Sequence, residues 1–231
     1  MRYIFIDIDD TLVKTNEVLT DLYKMLYNRE PPKDYKERQR DPRFMGLIDD
    51  GFFMSIGRFN MSLINVIRDY HRRDGFKVVL ISHRGYHREA NNHTYFMRVQ
   101  LNKLLQTYYH CNIMGSNDVL MDTILLDPNI EDERNKLEWI SRYYGDHDWV
   151  LIDDNPCFNE VPNREFLGNL ILINNDYNDL NYEDRSLDEF RNWIIDNRMD
   201  LDTSYATLNT LIKSRFDRQH WKSLDIGIEY E

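Results

Sequence analysis

The sequence predicts an α/β fold: a doubly wound parallel sheet with a small helical cap inserted after the first strand. Three observations predict it. Short apolar runs recur along the chain, with helical stretches between them. The runs are continuous rather than alternating, the pattern of strands covered on both faces. After the first run, a segment with a different rhythm intervenes before the second.

The first strand is the run Tyr3-Ile4-Phe5-Ile6. Further strands are expected at 77–81, 123–126, 149–152 and 170–173, each a β-branched or aliphatic run ending in polar residues. Between the first two of these runs, Leu63, Val66, Ile67 and Tyr70 share a helical face that Ser62 opens and Gly75 closes. Helices are also predicted over 88–109, 132–144 and 186–197. Strands alternating with helices imply a parallel sheet wrapped on both sides.

The segment 14–57 contains Pro31-Pro32, a charged stretch and the patch Phe52-Phe53-Met54, and its own charges nearly balance. A loop of that length is uncommon in a compact domain, so it reads as a small helical cap. The expected organisation is therefore a catalytic core at 1–13 and 58–199, the cap at 14–57 and a helical extension at 200–231.

Composition narrows the function classes. The chain has 231 residues, 42% of them hydrophobic, enough for a sizeable core. Its net charge of −11 argues against a generic basic nucleic-acid coat, long-duplex binding and adsorption to anionic membranes. Cys111 and Cys157 cannot make a disulfide framework, and they read as small buried residues. No apolar stretch approaches a membrane span, and the first run stops at Asp7, too soon for a signal peptide. The expectation is a cytoplasmic protein without a membrane partner.

The chemistry begins at Asp7-Ile8-Asp9-Asp10-Thr11, where three carboxylates crowd the C-terminal end of a buried strand. Open α/β sheets place their ligands at that edge. Close like charges are costly unless a cation offsets them, and hard oxygens at this density favour Mg²⁺. A second acidic pair, Asp153-Asp154, ends the run 149–152, so two strand ends can face one metal. Ser82 follows the run 77–81, and Lys136 sits early in a helix whose positive dipole end points at the same edge.

The order Asp-x-Asp, Ser, Lys, Asp-Asp resembles the haloacid dehalogenase superfamily of phosphatases and phosphotransferases over residues 2–174. Response-regulator receivers share these residue types but keep their Lys last, whereas here Asp153-Asp154 follows Lys136. The resemblance implies Asp7 as a nucleophile forming an aspartyl-phosphate, and Asp9 as the acid that protonates the leaving oxygen and then activates water. It implies Mg²⁺ held by Asp7, the Asp9 backbone carbonyl and Asp153, with Asp154 in support. Ser82 and Lys136 would grip phosphoryl oxygens. Asp10 departs from the family pattern, which often has glycine there.

Arg84, two residues after Ser82, could fork onto a substrate phosphate or carboxylate, or be an exposed loop arginine. His83 and His87 read as loop-surface residues. The stretches Ile124-Leu125-Leu126-Asp127, 132–139 and Leu151-Ile152-Asp153-Asp154-Asn155 look like the phosphatase half of bacteriophage polynucleotide kinase–phosphatases. The 5′(3′)-deoxyribonucleotidases are also similar, with a helical insertion after their first motif. No Gly-rich lysine loop of a kinase half is present. The resemblance implies a nucleotide or a nucleic-acid 3′-phosphate end as substrate. In the cap, Lys33, Lys36, Arg38, Arg40 and Arg43, interleaved with Tyr35 and Phe44, could follow a phosphate backbone while a base stacks on an aromatic. They equally suit a solvated helix face, because Asp34, Glu37 and Asp41 alternate with them. The alternatives are a phosphatase of a sugar phosphate or other small metabolite, and an inactive binding module on the same fold.

Overall fold

The computed structural model describes residues 1–33, 35–51, 53–56, 58–71, 73–85, 90–109, 122–157, 163–173, 199–200 and 203–225. Its centre is a five-stranded sheet of β1 (Arg2–Asp7), β2 (Phe76–Ser82), β3 (Thr123–Leu125), β4 (Asp148–Asp153) and β5 (Leu170–Leu172). The order is β3-β2-β1-β4-β5, with every pairing parallel. The predicted runs are the strands, but β1, β2 and β4 continue into Asp7, Ser82 and Asp153. These three polar residues are thus the last residues of strands, held by the ladder. From β1 the chain crosses to β2 on one side and, after β3, returns to β4 on the other. That reversal makes the β1–β4 boundary the switch point where such sheets bind ligands.

Successive strand residues point to opposite faces, and both faces are covered. Ile4, Ile6, Val78, Leu80, Val150 and Ile152 belong to one buried cluster, and Phe5, Val79, Ile81, Leu151, Leu170 and Leu172 to the other. The first face is covered by α5 (Met61–His71) and by the last helix described, α8 (Tyr205–Asp225), through Leu63, Ile67, Leu208, Ile212 and Phe216. The second is covered by α7 (Lys136–Tyr144) through Leu137 and Ile140. Each such aliphatic side chain contributes about 1.5–3 kcal/mol on burial. The C-terminal helix also does backbone work. Gln219 donates to the carbonyl of Trp149 at 2.8 Å and accepts from its N–H at 3.0 Å, supplying what a longer β5 would have supplied.

Between β1 and β2 lies the helical insertion, with α1 (Thr15–Tyr27), α2 (Tyr35–Arg40), α3 (Pro42–Asp50) and α4 (Phe53–Ile56). Chain enters and leaves it through a paired neck, where Lys14 N–H donates to Arg58 at 2.9 Å and Asn60 N–H to Leu12 at 2.8 Å. Asp41 caps α3, accepting from the Arg43 N–H at 2.8 Å, and Pro42 takes the first helical position, where a missing N–H costs nothing. Val18, Leu22, Tyr23, Phe44, Phe53 and Met54 of the insertion belong to the same buried cluster as the first sheet face. Gly51 lies at φ 66°, and a Cβ there would stand 2.0 Å from the ring of His93, on α6 (Ala90–Tyr109).

Several expectations change. Phe44 is buried under the Arg38 guanidinium, so it is no stacking platform for a base. Arg38 is engaged as well, donating to the Pro32 carbonyl at 2.6 Å. Asn60, not Ser62, opens α5, its side chain accepting from the N–H groups of Ser62 and Leu63. The helix expected over 132–144 divides into a 3-10 turn, Glu131–Glu133, and α7, because Asn135 caps a fresh start. The helix expected over 186–197, and Cys111, His87, Asp34 and Phe52, fall outside the described residues, as do the side chains of Tyr35 and Lys36. Among the described residues no helix is long and apolar enough to cross a membrane.

Candidate functional site

The ends of β1 and β4 bring three carboxylates together. Asp7, Asp153 and Asp154 each place an oxygen within 4.8 Å of the others. The register makes this unavoidable, since Ile6 pairs with Ile152 and the next residue on each strand is an aspartate. Lys136 enters the cluster from α7, with Nζ 2.5 Å from Asp7 Oδ1 and 2.8 Å from Asp153 Oδ2. Its place is secured by its own N–H, which donates to the Pro156 carbonyl at 2.8 Å, and by Asn135, which caps the helix. The helix start is thereby sewn to the loop that follows β4.

Burial raises Asp7 well above the usual carboxylate range, and Asp153 and Asp9 add to the rise against the pull of Lys136. Asp154 is raised likewise, by burial and then by Asp7, Asp153 and Asp10. Burial works against the charge of Lys136, but Asp153 and Asp7 outweigh it and keep the ammonium protonated. Three acids sharing one ammonium are short of positive charge. Hard oxygen donors in that arrangement fit a divalent cation such as Mg²⁺, which needs few protein carboxylates and tolerates a neighbouring phosphate. Thr11 steadies the exposed flank, its hydroxyl donating to Asp154 at 3.3 Å.

Asp9, two residues from Asp7, belongs to a different group. Its Oδ1 accepts from the Thr15 hydroxyl at 2.8 Å and Arg84 Nη2 at 2.5 Å; its Oδ2 accepts from Arg84 Nε at 2.5 Å and the Ser82 hydroxyl at 3.3 Å. Burial pushes its carboxyl up, but the charge and hydrogen bonds of Arg84, then Thr15, hold it below the usual range. Its side chain is not among the three clustered carboxylates.

Arg84 is 6% exposed, which removes the reading of an exposed loop arginine. Its fork is laid on a carboxylate of the protein itself, and its Cζ stands 5.0 Å from the ring centre of Phe53, in the insertion. The loop beneath it is pinned to the end of β3. Leu126 N–H donates to Ser82 and Gly85 N–H to Leu126, each at 2.8 Å, and a Cβ on Gly85 would meet the Leu126 carbonyl at 2.7 Å. His83 is not a surface residue either. It is half-buried and donates from Nε2 to the Glu133 carbonyl at 3.1 Å, and burial, then Lys136, push its pKa down to about 2.

Asp10 stands at φ 54°, in the left-handed region that glycine adopts most easily. Aspartate tolerates that region better than most residues, and here its carboxylate accepts from Asn16 N–H at 2.7 Å and from the Asn16 amide. Cys157 is buried in the second core cluster, as expected.

The structure thus brings Asp7, Lys136, Asp153 and Asp154 into one group and Asp9, Ser82 and Arg84 into an adjoining one. Sequence reasoning missed Thr15, Asn135 and Phe53. Thr15 and Asn135 are helix-start residues, a signal that was present but not tied to the site; Phe53 had none. No family model matches the chain, and no curated protein matches it.

Proposed function

We propose that this protein is a Mg²⁺-dependent phosphomonoester hydrolase of the haloacid dehalogenase type, working through an aspartyl-phosphate. The observation that carries the reading is the separation of two aspartates on one strand end: Asp7 among acids short of positive charge, and Asp9 on its own with hydroxyl and guanidinium donors. The two surroundings differ, and as they stand they run opposite to the roles, with Asp7 raised and Asp9 lowered. A bound Mg²⁺ would have to bring Asp7 down to its carboxylate, and Asp9 can hold a proton only once Arg84 has left it.

Asp7, as a carboxylate, attacks the phosphorus. The bond from phosphorus to the ester oxygen breaks while Asp9, which takes a proton from solvent once Arg84 has moved off it, delivers that proton to the oxygen. Water then attacks the phosphorus of the aspartyl-phosphate, giving its proton to Asp9, and inorganic phosphate leaves with Asp7 restored. Lys136 holds and neutralises the phosphoryl oxygens, Ser82 stays on Asp9 rather than gripping them, and Arg84 adds a further cation for a substrate anion. Asp7, the Asp9 carbonyl and Asp153 would hold Mg²⁺, with Asp154 in support; the ion would offset charge on the transferring group.

The substrate we favour is a nucleotide or a nucleic-acid 3′-phosphate end. An open cleft of about 510 Å³ in the insertion supports it, where Arg29, Arg40 and Arg43 outnumber Glu37 and Asp41 beside Pro32 and Pro42. A small metabolite phosphate is the second reading, favoured by the burial of Phe44, which leaves one stacking surface fewer. In either case segment 14–57 acts as the cap over a core of 1–13 and 58–199, with 200–231 as an extension, in a cytoplasmic enzyme.

The test is phosphate release with and without Mg²⁺ from nucleoside 5′- and 3′-monophosphates, 3′-phosphorylated oligonucleotides and sugar phosphates. Asp7→Asn is expected to remove Mg²⁺-dependent release, by about 10³-fold or more, while the protein remains folded. Undiminished turnover by that variant would refute the assignment.

A further inference from the structure

The donors on Asp9 leave it no spare acceptor position. A carboxylate offers about four lone-pair sites, and Thr15, Ser82 and the two arms of Arg84 take two on each oxygen. If Asp9 serves a leaving oxygen, one of these donors must give way. Thr15 lies at the start of α1 and Ser82 at the end of β2, both on short side chains fixed by their elements. Arg84 alone has a long side chain, on a loop whose backbone is clamped to Leu126. An exchange is therefore a side-chain movement, with the Phe53 ring as the surface beside which the guanidinium turns.

The two cations stand on different sides of the reaction. Lys136 bridges Asp7 and Asp153, where the phosphoryl group transfers. Arg84 spans Asp9, the group that faces the departing alcohol. We propose that Arg84 selects the leaving group: an anionic substituent on the alcohol, close to the scissile oxygen, takes the guanidinium from Asp9 and frees one acceptor position on each Asp9 oxygen. Thr15 and Ser82 keep Asp9 oriented during the exchange. Substrates whose alcohol carries a second anion are then preferred over those whose alcohol is neutral. The inference rests on the phosphatase reading of Asp7 and Asp9.

Two pairs test it: phosphoglycolate against ethyl phosphate, which differ in one anion, and a 3′-phosphorylated dinucleotide against a nucleoside 3′-monophosphate, which differ in one phosphodiester and its nucleoside. The wild-type kcat/KM is expected to favour the anionic member of at least one pair by about tenfold, the worth of a forked charge-assisted contact. Arg84→Ala should bring that ratio near one, and Arg84→Lys, which keeps charge without the fork, should fall between. A response in the carboxylate pair alone identifies a small acid; a response in the dinucleotide pair alone identifies a strand end. If Arg84→Ala lowers all four rates alike and the ratio persists, Arg84 grips the transferring phosphoryl group and the proposal is overturned. Equal wild-type rates within both pairs overturn it while leaving the phosphatase reading intact. No release from any of the four overturns the proposal, and the phosphatase reading falls with it only if nucleoside 5′-monophosphates and sugar phosphates release none either. Should Arg84→Ala fail to fold by circular dichroism, the Arg84→Lys ratio decides in the same way.

Discussion

Asp7 and Asp9 sit two residues apart at one strand end, yet their carboxyl groups are pushed in opposite directions. Burial raises both. At Asp7 two further acids lie within reach and one ammonium serves all three, so the rise stands. At Asp9 the fork of a guanidinium lies across the carboxylate, with two hydroxyls beside it, and the rise is reversed. Burial is the largest push on both, and the balance of cations to anions within a few ångströms sets the difference between them. One group is short of positive charge and the other is saturated, and that contrast can be broken experimentally.

The largest effect is expected at Lys136. Replacing it with Met removes the ammonium that bridges Asp7 and Asp153, and should destabilise the fold by about 3–5 kcal/mol, the cost of leaving buried charges unpaired. Urea unfolding measures this, and added Mg²⁺ should restore part of the loss. An unchanged midpoint would mean that the triad is not short of positive charge.

Next in size is the response of the unaltered protein to Mg²⁺. A ligand at about 100 times its Kd stabilises by about 2.7 kcal/mol, visible as a rise in melting temperature. Asp154→Asn should shrink that rise, and Arg84→Ala should retain it, because Arg84 serves the other group. Equal losses in the two variants would merge the groups into one.

The smallest effect concerns His83. Its folded pKa is about 2 against an ordinary 6.5, so the unfolded chain binds the proton first as pH falls. Stability is therefore lost as pH drops below 6.5, by about 1 kcal/mol by pH 5.5. His83→Gln should lose less over that interval in urea unfolding at the two pH values. An identical loss would show the imidazole to be as free as a surface one.

The strands and their order of motifs were legible because buried parallel strands must be apolar throughout and must end where the sheet meets solvent. Hence Asp7, Ser82 and Asp153 could be placed from their neighbours alone. Lys136 was legible through its order among them, although the helix carrying it starts later than the expected 132, because Asn135 caps a start at Lys136. Arg84 was not legible in the same way. Its partner lies 75 residues away, and whether a long side chain reaches inward depends on packing that no local pattern records. Phe44 and Phe53 illustrate the same limit. Phe44, in a charged stretch, could suit a stacking surface, yet it and Phe53 both lie in the buried cluster shared with the first sheet face.

Gly51 carries a consequence for anyone who would treat the insertion as a transplantable module. Its missing side chain is a notch filled by His93, which belongs to α6 and not to the insertion. Excised at the neck and grafted elsewhere, the four helices would carry an empty notch and lose the key that sets their seating depth. The smallest portable unit is the insertion together with α6. A chimera respecting that boundary would bring Phe53 to rest at its present height above the Arg84 loop.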